Sequence, residues 1–311
     1  MKVAIIDMGT NTFHLLLAEV KSDSHTIFHR ERKAVKVGEK GINKGEITPE
    51  ACDRAITALK EYKSIIDKEE ITQIFATATS AMRSASNGKD LADEIKKQTG
   101  IDTNIISGTR EAELILLGVR RALDIGEKKH LIMDIGGGSI EFIIADQNKT
   151  YWLRSFEIGG QRLVEQFHKS DPIQMDEMME MAAHFDKELK ELATAIEEHK
   201  PSVLIGCSGT FDTLCDIFYQ GMGLERDVDA TEYSLPLKGF DIIFKELLQK
   251  NREERLAIPG MIEMRVDMIV VACVLVDYLI HTFNLEDIRV SAYALKEGVL
   301  MDRIETIQKD L

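Results

Sequence analysis

One device occurs twice in this chain, and it limits the folds open to it. Residues 131–145, LIMDIGGGSIEFIIA, lead an apolar run into Asp134 and set Gly136, Gly137 and Gly138 in succession. An apolar, β-branched run then resumes at once, a pattern of strand, tight turn and strand. Laid without gaps over residues 4–18, AIIDMGTNTFHLLLA, the segment matches in kind: Asp7 falls on Asp134, Gly9 on Gly136, Thr12 on Ser139, and Leu15 to Leu17 on Phe142 to Ile144. A duplicated unit of this sort predicts two similar lobes facing each other, each lending a loop to a shared cleft. At 311 residues the chain is long enough for each lobe to bury its own core.

The turns suggest phosphate. Glycine has no Cβ, so Gly136, Gly137 and Gly138 can turn successive N–H groups toward one anion, and Ser139 adds a hydroxyl. Asp134 and Glu141 flank the turn, and carboxylates beside a phosphate repel it unless a cation lies between them. A divalent metal is therefore expected, most simply Mg²⁺ held partly through water. The turn is not a Walker A loop, because no lysine follows the glycines and the next segment is not helical. An ordinary tight hairpin remains the alternative for this stretch taken alone.

Composition narrows the partners. A net charge of −14 repels polyanions at long range, so neither general nucleic-acid binding nor an anionic membrane surface is expected, and a polyphosphorylated ligand must be held by local groups. Cys52, Cys207, Cys215 and Cys273 show no C-x-x-C pairing, which suits reduced thiols in the cytoplasm. The chain opens into a strand at Val3 without a leader, and its longest apolar run, 268–280, is too short for a bilayer and carries Asp277.

Along the chain, residues 1–38 read as a hairpin and further strands, with Val35 and Val37 alternating about Lys36. Thr48 and Pro49 read as N-cap and first turn of a helix to about Ile66, and a strand is expected at 74–79. Arg83 follows that strand as its nearest cation; the segment alone favours a solvated surface arginine. The helix after Gly108 places Glu111 and Glu113 in its first turn. There they either complement the helix dipole or, beside a phosphate cleft, take a proton from an attacking water. A polar stretch at 124–129 divides the lobes, giving domains 1–124 and 125–311, with the final helix from about Ala294 a candidate to pack back on the first. The methionines at 175–181 read as core or packing surface, and 221–240 as loop. VLIGCSGT, 203–210, reads as a strand ending in small residues whose corner leaves helix N–H groups for an anion, so Gly209 and Thr210 are candidate phosphate contacts.

DMGTNTFHLL, ATATSAMRSASNG, IISGTREAELILLGV, MDIGGGSIEF, GCSGT, IPGMIEMRVDMI and ALKEGVL, in that order, resemble the exopolyphosphatase and guanosine pentaphosphate phosphatase (Ppx/GppA) family over essentially the whole chain. The resemblance implies an α/β, two-lobed actin-like ATPase (ribonuclease H-like) fold shared with sugar kinases, with a cleft between duplicated lobes. It also implies hydrolysis of a terminal phosphoanhydride to release orthophosphate. Carried over by position, Glu111 matches the base that polarises water and Arg83 the arginine that grips substrate phosphate. Asp134, Gly136, Ser139 and Glu141 match the loop holding phosphate and metal, and Asp7 with Gly9, Thr10, Asn11 and Thr12 the opposing loop.

Thr10-Asn11-Thr12 replaces the family's serine-rich first loop, Met264 stands where an acid often precedes Arg265, and 291–294 depart from an acid and glycine run. Long members add a C-terminal helical region, so weaker processivity is expected here. The substrates implied are inorganic polyphosphate or guanosine pentaphosphate (pppGpp), with a phosphotransferase and a non-catalytic alarmone sensor as further readings. A homodimer is the expectation from the commonest symmetry.

Overall fold

A computed structural model describes residues 1–21, 24–227 and 229–310, with side chains described as far as Ile304 in the last helix. Two compact units emerge, one formed by Met1–Gly118 with Leu295–Leu311, the other by Val119–Ala294.

In the first unit, β1 (Lys2–Met8), β2 (Thr12–Val20) and β3 (His25–Ala34) form an antiparallel meander. Helix α1 (Pro49–Lys68) follows, its N-terminus fixed by the Thr48 hydroxyl accepting from Ala51 N–H and by Pro49 in the first turn. β4 (Gln73–Ala78) then returns parallel to β1; α2 (Ser80–Ser84) and α3 (Gly88–Thr99) lead to β5 (Thr103–Ile105), parallel to β4, and α4 (Gly108–Ala122) leaves it. Among the described residues the sheet order is β3-β2-β1-β4-β5. Alternate residues of β1 and β2, among them Ala4, Ile6, Met8, Phe13, Leu15 and Leu17, pack against α1 and α3 in one buried cluster.

The second unit repeats the plan. β6 (His130–Ile135), β7 (Ile140–Ala145) and β8 (Thr150–Phe156) form the meander. α5 (Gly160–Phe167), α6 (Met175–Glu188) and α7 (Lys190–His199) precede β9 (Val203–Cys207), which pairs parallel to β6. α8 (Ser208–Gly221), β10 (Glu232–Ser234), α9 (Leu237–Gln249), α10 (Arg252–Leu256) and α11 (Ile269–Phe283) lead to β11 (Asp287–Ser291), parallel to β9. The order β8-β7-β6-β9-β11-β10 reproduces the first sheet strand for strand and adds β10 at the edge. α11 is apolar on all sides, with residues 269–276 all buried, because it lies within the core rather than over it.

α12 (Leu295–Asp310) belongs to the first unit, where it contacts β1 and β2 and crosses α4 at Gly298. A Cβ on Gly298 would lie 1.8 Å from the Leu114 carbonyl oxygen, so only glycine lets the two helices meet this closely.

Several local expectations change. Val35–Val37 is not strand: the chain leaves β3 at Ala34 and turns through Lys36 at φ 51°. Residues 221–240 hold β10 and the start of α9, too short a strand and too late a helix start to stand out by periodicity. Met181 is core, but Met175 and Met179 are 69% and 67% exposed, so the methionine segment is packing surface on one side only. The strand expected at 203–210 ends at Cys207, which puts Gly209 and Thr210 in the first turn of α8.

Candidate active site

Both glycine turns are tied from behind. In the second unit Gly136 N–H donates to Ser139 O at 3.0 Å, closing the turn, and the 159–161 backbone binds its carbonyls: Gly160 N–H to Gly136 O, Gln161 N–H to Gly137 O and Gly159 N–H to Gly138 O, at 2.8–3.1 Å. Arg162 Nε adds a bond to Gly138 O at 2.8 Å. A Cβ on Gly159 would meet Gly137 and Gly138 backbone at 2.5 Å, which is why a glycine stands there. With their carbonyls engaged, Gly137 and Gly138 have N–H groups that meet no acceptor among the described residues, an arrangement suited to an anion.

The first unit repeats the closure, with Gly9 N–H donating to Thr12 O at 3.1 Å. Its carbonyls are tied by a different loop: Val35 and Lys36 N–H groups donate to Asn11 O, and Gly38 N–H to Thr10 O. The matched acids stand at matched places. Asp7 lies opposite His14 across β1 and β2, as Asp134 lies opposite Glu141 across β6 and β7.

Asp134 and Glu141 are 5% and 1% exposed, and hydroxyls bond them: Ser208 Oγ donates to Asp134 Oδ2 at 2.6 Å, while Ser139 and Ser155 Oγ donate to Glu141 Oε1 at 2.7 and 2.6 Å. Ser208, at φ 68°, is a non-glycine residue in the left-handed region at the β9–α8 corner, and its bond to Asp134 accompanies that strain. Next to it, Gly209 leaves room for the Arg265 guanidinium, 2.0 Å from where a Cβ would lie. Cys207 stands beside Asp134 in the parallel register, but complete burial and then the nearby Asp134 charge hold its thiol well above the usual range, so it is no nucleophile.

Arg83 and Glu111 meet in the first unit. Arg83 Nη1 donates to Glu111 Oε2 at 2.7 Å and to Ile106 O at 3.3 Å, and both side chains are largely buried. The segment carrying Arg83 is pinned by Asn87, whose side chain bonds both N–H and carbonyl of Ile47, and by the close approach of Gly88 to Met82. Glu111 occupies the first turn of α4, whose start Ser107 caps by accepting from Arg110 N–H at 3.2 Å. The surface arginine that the segment alone favoured is thus a partly buried ion-pair partner. Glu113 instead pairs with Arg110 at the surface.

The structure therefore pairs Arg83 with Glu111 in the unit that also holds Asp7 and Gly9 to Thr12. In the other it brings Asp134, Gly136 to Ser139 and Glu141 together, with Ser208 at the start of α8 bonded to Asp134 and Thr210 two residues further along that helix. Ser155, Ser208, Arg162 and Arg265 were not anticipated. Only the Ser-Gly pair after β9 offered a local signal; the others depend on neighbours distant in sequence. Among the described residues no group of three or more His, Cys, Asp and Glu side chains is arranged around a metal position.

A meander followed by two parallel strands, repeated in two units with an acid and a glycine turn at the end of each first strand, defines an actin-like ATPase fold. The family model of the Ppx/GppA phosphatase family matches residues 16–307, and the chain belongs to that family, a group of phosphatase hydrolases. An exopolyphosphatase from Cytophaga hutchinsonii is 46% identical in sequence, with 98% of each chain covered and a TM-score of 0.95. A Ppx/GppA family member from Aquifex aeolicus is 26% identical, covering 100% of this chain and 98% of its own, with a TM-score of 0.78. Exopolyphosphatase 1 of Mycobacterium leprae is 24% identical over 308 residues, 98% of this chain and 90% of that protein.

Proposed function

We propose that this enzyme releases terminal orthophosphate from inorganic polyphosphate by attack of water. The observation that carries the reading is the Arg83–Glu111 pair, a cation for phosphate and a base for water held 2.7 Å apart at a strand-to-helix corner. In the second unit the N–H groups of Gly137 and Gly138 would take phosphate oxygens, with Ser139 and Thr210 as hydroxyl donors; in the first unit Thr10 and Thr12 are the hydroxyls at the matching turn.

In this reading Glu111 accepts a proton from water as its oxygen bonds to the terminal phosphorus. The bridging P–O bond breaks, and its electron pair stays on the shortened chain. Such a transfer gains from positioning and charge neutralisation more than from a covalent intermediate. Arg83 orients the Glu111 carboxylate before substrate arrives; a phosphate that draws on the same guanidinium loosens that hold and leaves Glu111 a stronger base. Within the second unit Asp134 and Glu141 are hard oxygen donors that fit Mg²⁺, which takes one or two protein carboxylates along with water and phosphate oxygens; Asp7 is the donor at the matching place of the first unit. When bound, the ion would supply neutralisation of phosphate charge.

The four cysteines are unpaired, and among the described residues no helix is long and apolar enough to cross a membrane. On the thiols we place the enzyme in the cytoplasm. Phosphate release from polyphosphate and from pppGpp, side by side with and without Mg²⁺, tests the function. Mg²⁺-dependent release from polyphosphate is expected. Release from pppGpp alone would reassign the substrate, and binding of an alarmone without release from either would make the protein a sensor.

A further inference from the structure

The exposed face of β3 bears a pair of cations with no structural partner. Strand alternation puts Arg30 and Arg32 on that face, and neither forms an ion pair or hydrogen bond among the described residues. The charges on the opposite face are satisfied: Lys33 pairs with Glu31 and Glu61, and His29 lies 3.5 Å from Glu31. In a chain of net charge −14, two unneutralised arginines on one face of a strand form a local positive patch able to take an anion.

Register says where they stand. Arg32 lies opposite His14, His14 opposite Asp7, and Asp7 beside Thr77, so all four share one face of the sheet. Arg32 is thus in the same cross-strand row as the acid of the first phosphate loop, two strands or about 10 Å away, with Arg30 about 7 Å further along β3. The second unit shows what this place can do. There the row runs Asp134, Glu141, Ser155, and Ser155, the counterpart of Arg32, bonds Glu141 within the site. The end of β3 is also fastened to the first loop, through Val35 and Lys36 N–H groups on Asn11 O.

We infer that Arg32 and Arg30 form a subsite for the body of a linear polyphosphate, gripping phosphates upstream of the terminal one that the first loop holds. This rests on the phosphoanhydride reading of the site and adds chain-length preference to it. A repeating anion fits two cations in line with the loop; a nucleoside would need an apolar or stacking platform, and the row of Arg32, His14, Asp7 and Thr77 is polar throughout.

The test uses Arg30→Gln, Arg32→Gln, the double variant, Arg32→Lys, and Lys97→Gln on α3 as a charge-matched control. Steady-state phosphate release is measured on tripolyphosphate and on long-chain polyphosphate. Equilibrium affinity for long-chain polyphosphate is measured across a salt series. The double variant is expected to raise KM for the long chain roughly tenfold relative to its effect on tripolyphosphate, with the loss in KM rather than kcat. The slope of log affinity against log salt should fall by roughly one for each arginine removed. Arg32→Lys should restore most of the affinity, and Lys97→Gln should behave as wild type. An unchanged ratio of KM values between long and short substrates overturns the inference. If wild-type protein releases phosphate from neither substrate, the hydrolase reading fails instead; the binding series then decides this proposal, and equal affinity of wild type and double variant would reject it.

Discussion

At the scale of single residues, the Glu111 carboxylate is set against the Arg83 guanidinium, and the proposed chemistry rests on that pair. Glu111→Gln keeps the size and removes the proposed proton acceptor, so phosphate release is expected to fall roughly 10²-fold or more with the fold intact by circular dichroism. Arg83→Ala should lower kcat and raise KM together if, as proposed, the guanidinium that holds Glu111 also grips substrate phosphate. Near wild-type turnover by Glu111→Gln would remove the base assignment. Gly159 offers a test of the loop that does not touch a charge. A methyl group there must displace the Gly137 and Gly138 backbone, so Gly159→Ala is expected to destabilise by about 1–3 kcal/mol and to weaken phosphate release through the loop. Denaturant unfolding and KM measured on one preparation separate the two effects.

At the scale of elements, α6 shows how a helix start can titrate. Glu177 sits in the first turn of α6 and closes a capping box with Gln174. Burial pushes its carboxyl up, but the Ser170 hydroxyl and the Gln174, Lys169 and Ser170 N–H groups outweigh this and hold it at about 2, against 4.5 when unpaired. The folded value is the lower one, so its contribution is present above about pH 4.5 and is lost as pH falls from there toward 2. Glu177→Ala should therefore unfold at lower urea at pH 7, with a difference from wild type that shrinks over that window; a difference constant with pH would contradict it. The elements were also where sequence was most and least readable. The hairpins showed because the same acid, glycine and apolar spacing occurs twice, and a repeated pattern is hard to produce by chance. Ser155, Ser208 and Arg162 did not, because what they bond is brought to them by strand pairing and by the β9–α8 corner. β10 was hidden by being three residues long, and Arg83 by lying on a short helix with no pattern of its own.

For the whole molecule, the two sheets share one strand order, yet the sequence matched only at the first hairpin of each. The remaining strands were fitted to different neighbours: α11 is buried inside the second core, while α12 braces the first. That brace arrives late. The face of β1 and β2 that carries Ile5 and Leu16 acquires α12 only after all of 119–294 has been made. On a ribosome, the earlier half must therefore wait, incompletely clad, while the later half is synthesised. A nascent chain arrested at Ala294 is expected to bind a hydrophobic dye and to be cut by protease in β1–β4 while 119–294 resists, and extension through Asp310 should abolish both signals. Chaperone demand in such a protein falls on what is translated first and finished last.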